Sequence, residues 1–195
     1  TNKKNKKERN ISFPITPPFS LVNNYSMKMI NNVYYYGNKD KKISNQHYRS
    51  FFFPLDAIKS WNKAYGTKGF FQYQFVVPKN DSEVSLNKII QEIHTNGQIP
   101  ALGVLKSFGS IKSKGMLSFP REGITMALDF ANKGLETLKF LDRLDKVVVE
   151  YGGALYPAKD ARMSKDVFSK SFENINDFQK YVDPRFSSSF YRRVK

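Results

Sequence analysis

The sequence has no cysteine and two histidines, His47 and His94, among its 195 residues. The missing thiols exclude a disulfide framework, a thiolate metal site and a cysteine nucleophile. Two imidazoles leave little from which to build a zinc site or a histidine-centred triad, so no metal is expected. No apolar run reaches the roughly 18 residues that a membrane span requires. The opening Thr1-Asn2-Lys3-Lys4-Asn5-Lys6-Lys7 has no apolar stretch behind its charges and does not read as a secretory signal. It reads instead as a cut in a longer chain. Acidic residues are scarce, 17 against 32 Lys plus Arg, for a net charge of +15. That surplus favours an anionic partner (nucleic acid, lipid head groups or a phosphorylated substrate) without choosing among them. The basic blocks at residues 3–9, 39–42 and 192–195 read equally well as solvated loops and tails. What is present is a 40 % hydrophobic and 15 % aromatic composition, which excludes wholesale disorder. The length fits one domain, or one domain and part of another.

Residues 1–10 are expected to be a basic, flexible segment. Residues 21–36 carry Met27, Ile30 and Tyr34 at helical spacing, and Gly37-Asn38-Lys39-Asp40 reads as a loop. Leu55, Ile58 and Trp61 predict a short helix over 55–65. The second half is more regular. Alternation predicts a strand over 70–77, closed by Pro78. Asp81-Ser82 offers a cap for a helix that stops at Gly97. Strands follow over 101–108 and 123–130, the latter with Ile124, Met126, Leu128 and Phe130 on one face. Asn132 is the expected cap of a long helix bearing Leu135, Leu138, Leu141, Leu144, Val148 and Tyr151. Gly152-Gly153 ends it, and a fourth strand covers 154–156. The order is βαββαβ over 70–156, an α+β fold with a split, antiparallel sheet and helices on one face. The tail, 161–195, has sparse anchors at Phe168, Phe172, Phe178 and Tyr181, and must pack on something else.

Polar positions inside these strands admit two readings. Gln72 and Gln74 share a side of the first strand. Lys106 faces with Leu102, Val104 and Phe108, while Thr125 faces with Ala127 and Asp129. Such a face is either simply wet, as in many antiparallel sheets, or suited to a polyhydroxylated ligand needing directional hydrogen bonds. A basic, aromatic βαββαβ unit also invites an RNA-binding reading, and Lys68-Gly69-Phe70-Phe71-Gln72-Tyr73 partly matches the aromatic motif of such modules. That motif belongs on the third strand, however, and here it sits on the first.

Several segments follow one another in a familiar order: Phe53-Pro54-Leu55-Asp56, Trp61-Asn62-Lys63-Ala64-Tyr65-Gly66, Gly69-Phe70-Phe71-Gln72-Tyr73-Gln74-Phe75-Val76-Val77-Pro78, Leu117-Ser118-Phe119-Pro120 and Tyr151-Gly152-Gly153-Ala154-Leu155-Tyr156-Pro157-Ala158-Lys159-Asp160-Ala161-Arg162. Together they resemble the C-terminal half of the polyprenylphosphoryl-sugar oxidases, a branch of the vanillyl-alcohol-oxidase-like flavoproteins that also includes the aldonolactone oxidases. The resemblance runs from about Ile11 to the end.

It implies a two-domain FAD enzyme whose substrate, or cap, domain corresponds to 11–153. Residues 154–195 would return to an FAD-binding domain whose Gly-rich pyrophosphate loop and flavin-attachment motif this chain lacks. A fragment or a divided gene product is expected, inactive without that domain. The implied reaction oxidises a secondary hydroxyl of a polyprenylphosphoryl pentose to a 2′-ketone, the first half of an epimerisation completed by a short-chain reductase. By position, Lys159 would be catalytic, and Tyr156, Lys159 and Gln74 would contact the flavin. Gln72, Lys106, Thr125, Leu55, Ile58 and Lys63 would border the substrate. Tyr156-Pro157-Ala158-Lys159 keeps the lysine of the aldonolactone oxidases' His-Trp-Ala-Lys but not its histidine, which favours the polyprenyl-sugar branch over lactone oxidation. Ala127 stands where a family member carries a cysteine. Localisation in the cytoplasm or at a membrane surface is the matching expectation.

Overall fold

In the computed structural model the residues described are 11–37, 47–53, 56 and 58–195. The chain divides into two compact units, 1–69 and 70–195. The segment 154–195 falls in the second unit.

In the first unit, β1 (Ile11–Ser12) pairs in parallel with β2 (Ile58–Lys59). Helix α1 (Asn24–Gly37) begins where the Asn23 side-chain oxygen accepts from the backbone N–H groups of Tyr25 (3.0 Å) and Ser26 (3.1 Å). A short α2 (Tyr48–Phe52) follows. The helix expected over 55–65 does not form. Residues 58–59 are strand, Ser60 turns the chain at φ 56°, and Trp61–Tyr65 coils as a 3-10 turn. A β-branched Ile58 with a strand partner fits extended backbone better than a helix. Gly66 (φ 74°) ends that turn, and a Cβ there would lie 2.6 Å from the Phe19 carbonyl. On α1, Met27 is buried but Ile30 and Tyr34 are exposed, so the three do not share a covered stripe.

The second unit holds β3 (Phe70–Pro78), α3 (Ser82–Asn96), β4 (Leu102–Phe108), β5 (Gly123–Ala131), α4 (Leu135–Glu150) and β6 (Ala154–Leu155). The sheet order is β4-β5-β3-β6 with every neighbouring pair antiparallel. This is the expected split βαββαβ arrangement. Tyr73, Phe75, Val77, Leu128 and Phe130 point to one face, where Ile89 and Ile93 of α3 and Phe140, Leu141, Leu144 and Val148 of α4 close the core. Gly97 (φ 62°) terminates α3 as anticipated. Two caps differ. Asp81 makes no side-chain cap bond; its carbonyl instead accepts from the Ser85 hydroxyl at 2.7 Å. Helix α4 starts after Gly134 rather than Asn132, and Asn132 accepts from the Gly134 N–H at 2.8 Å in the preceding turn. That shift leaves Leu135 exposed and puts Phe140 on the buried stripe.

Beyond β6 a 3-10 turn (Pro157–Lys159) leads into α5 (Lys165–Ser171), α6 (Ile175–Gln179) and α7 (Ser189–Val194). Met163, Phe168, Phe172, Ile175 and Val194 join the same apolar core as β3 and α4. Tyr181, expected as an anchor, is exposed. The tail thus finds its packing surface within this unit.

Candidate functional site

The face of the sheet opposite the helices carries the polar residues. The β-register sets them in rows: Gln72 beside Asp129 beside Leu102, then Gln74 beside Ala127 beside Val104, then Val76 beside Thr125 beside Lys106. Tyr156 continues the β6 pairing by donating its N–H to the Gln74 carbonyl at 2.8 Å. An aromatic group closes one end of the face. Phe119, carried by the β4–β5 connection, buries itself on Val76 and Ala154, with its ring 4.7 Å from Tyr156 and 6.1 Å from Phe108. The other end is polar, and there β6 is too short to cover the first residues of β3.

The turn after β6 fills that uncovered edge. Gln72, Gln74, Tyr156 and Lys159 line one small recess together with Asp160 and Arg162. The turn is held from behind by charged groups. The buried carboxylate of Asp145 on α4 accepts from both terminal nitrogens of Arg162 (2.7 and 2.8 Å) and from the Tyr73 hydroxyl (2.9 Å). Burial, reinforced by Asp145, pushes the Tyr73 phenol well above its usual range, so it remains a donor. Asp160 accepts from the backbone N–H groups of Arg162 (3.0 Å) and Met163 (2.7 Å) and binds Arg193 of α7. Lys159 is thereby presented on a rigid loop, its N–H bonded to the Tyr156 carbonyl at 3.1 Å.

The Gln74 amide is fixed too. Thr125 donates its hydroxyl hydrogen to the Phe75 carbonyl at 2.7 Å, so it can only accept from the Gln74 amide nitrogen at 3.2 Å. Thr125 is buried and acts on the face through Gln74. Lys106 is exposed on the same face. Gln72 lies directly across from Asp129 in the sheet, a buried residue of which one oxygen, Oδ2, has no hydrogen-bond partner. Burial raises the Asp129 carboxyl above the usual carboxylate range, against the Gln72 hydrogen bond and the charge of Lys159.

Six of the sequence-selected residues, Gln72, Gln74, Lys106, Thr125, Tyr156 and Lys159, therefore share one sheet face or its rim. Ile58 and Lys63 belong to the first unit, where Ile58 pairs with Ile11 and the Lys63 ammonium donates to the carbonyls of Phe13 (3.3 Å) and Pro14 (3.5 Å). Leu55 lies outside the described residues. Phe71, Tyr73 and Phe75 point toward the helices, so Phe70 is the one aromatic of this strand on the side of Gln72 and Gln74. Two members of the face had no role assigned from sequence. Phe119 had no periodicity to mark it, and Asp129 could be placed on the face but not seen to be buried. Among the described residues no cluster of His, Asp or Glu could hold a metal ion, and no helix is long and apolar enough to cross a membrane.

The chain is similar to the decaprenylphosphoryl-beta-D-ribose oxidase of Mycolicibacterium smegmatis. The two are 35 % identical over 191 residues, 95 % of this chain and 41 % of the oxidase. A Streptomyces coelicolor protein, described only as an uncharacterized protein in the mprA 5'region, is 30 % identical over 114 residues, 56 % of this chain and 31 % of that protein. The chain thus spans about two fifths of the oxidase's length. No family profile matches the chain.

Proposed function

We propose that this chain is the substrate-domain portion of an FAD-dependent oxidoreductase that converts a secondary hydroxyl of a polyprenylphosphoryl pentose to the 2′-ketone. The observation that carries this reading is the open sheet face, at whose edge two amides and one ammonium converge in a chain similar to a sugar-lipid oxidase over nearly its whole length. The donor set fits a flavin: the Lys159 ammonium suits the negative charge that a reduced isoalloxazine acquires, and a flat sheet bordered by Tyr156 suits a planar ring. FAD, when bound by an FAD-binding domain, is the two-electron acceptor.

The chain's own residues bind and orient. Gln74, held by Thr125, and Gln72, across from Asp129, offer carbonyl oxygens to sugar hydroxyls. Lys106, exposed at the β4 side, offers a point charge to a phosphate. Lys159 sits where charge develops, and its turn cannot drift because Arg162 and Asp160 tether it. A short-chain reductase that returns the keto sugar to an alcohol is the partner such a reaction calls for. The test is anaerobic mixing of the protein, co-purified with its FAD-binding portion, with a polyprenylphosphoryl pentose. Bleaching of the visible flavin band supports the reading; a colourless protein, or a yellow one that the pentose does not bleach, refutes it.

A further inference from the structure

Asp129 is buried to 3 % exposure on the polar face, yet its Oδ2 has no hydrogen-bond partner. A buried carboxylate lowers stability unless it is fully paired, and by more than a neutral side chain of the same shape does. A group retained at such a cost is one whose charge is used. Its neighbours restrict what that use can be. The β3 residues facing it, Gln72 and Gln74, are uncharged; β4 places Leu102 beside it and Lys106 two rows away. Among the described residues, Lys159, on the turn after β6, is the charged group whose field acts at the carboxyl.

We propose that Asp129 is a positioning residue, whose carboxylate takes an N–H of Gln72 and so turns the Gln72 carbonyl outward, while its unpaired oxygen draws the Lys159 ammonium over the sheet. An ionised carboxylate only accepts, so Gln72 must present its nitrogen inward. Thr125 imposes the same sense on Gln74, because its own hydrogen is committed to the Phe75 carbonyl. The face then displays two acceptors and one cation, and selects a ligand that brings hydroxyl donors. This ligand preference rests on the sugar-oxidase reading; the anchoring by Asp129 does not.

The sign of the pH effect separates the proposal from a plain structural role. A carboxyl whose folded pKa is raised favours folding at low pH, and that contribution is lost as pH rises through the folded value. Asp129→Asn in the intact protein should therefore raise the unfolding temperature at pH 8, by about 2–4 °C, with the gain vanishing toward pH 4. Lys159→Met should lower the unfolding temperature at pH 8 in the wild type but not in the Asp129→Asn background. With flavin bound, Asp129→Asn, which keeps an acceptor for Gln72, should lower kcat and leave KM near wild type. Asp129→Leu, which keeps neither acceptor nor charge, should also raise KM about tenfold, as loss of one ligand hydrogen bond implies. A protein that binds no flavin would remove the oxidase reading while the unfolding cycle still decides the role of Asp129. Destabilisation by Asp129→Asn at pH 8, or additive effects of the two substitutions, overturns the proposal.

Discussion

Replacing Arg162 by alanine strips the Lys159 turn of its anchor, and the loss can be sized from the structure. Arg162 is 13 % exposed and Asp145 3 %, joined by two hydrogen bonds of 2.7 and 2.8 Å. Removing one partner of a buried pair leaves the other charge uncompensated, at a cost of about 3–5 kcal/mol. The Tyr73 hydroxyl remains as one donor to Asp145, which argues for the lower half of that range. With a urea slope of about 2 kcal/mol/M, the denaturation midpoint should fall by about 1.5–2 M. An Asp145→Leu, Arg162→Met double variant should recover most of this loss, since apolar replacement of both partners is often neutral. It should not restore flavin reduction, because the turn would lack its directional bonds. A loss under about 1 kcal/mol, the range of an exposed ion pair, would refute the claim that this network fixes the turn.

Three further outcomes follow from the same geometry. Lys159→Ala should slow flavin reduction by about 10²–10³-fold in single-turnover absorbance measurements, the range for losing one preorganised charge stabiliser. Phe119→Ala should destabilise by about 3–5 kcal/mol in chemical denaturation, since a buried aromatic is deleted from the covered end of the face. Gly123→Ala places a Cβ 2.0 Å from the Val77 carbonyl oxygen and should prevent β5 from closing on β3; a circular dichroism melt indistinguishable from wild type would contradict this.

How much the sequence disclosed depended on whether a feature was periodic. Strands β3, β4 and β5 and helices α3 and α4 alternate or repeat cleanly, so their order, and the face on which Gln72, Gln74, Lys106 and Thr125 lie, could be read directly. Helix α4 was misread at its start, because Gly134 rather than Asn132 precedes its first turn and Leu135 is consequently exposed. Residues 55–65 carried apolar spacing compatible with a helix, but the pairing of Ile58 with Ile11 lies 47 positions away and no local pattern announces it. The network behind Lys159 was hidden for the same reason. Asp145 looked like one more charge on an amphipathic helix until the fold brought Tyr73 and Arg162 to it. Burial of Asp129 depends on neighbours from β3 and β4, which only the folded chain assembles.

The central claim, that the open sheet face meets a flavin and a sugar alcohol, is tested most directly by following the visible flavin band on anaerobic addition of a polyprenylphosphoryl pentose. Bleaching in the wild type, markedly slowed in a Gln72→Ala, Lys159→Met variant that still binds flavin, is the predicted result. Bleaching at an unchanged rate in that variant would contradict the account.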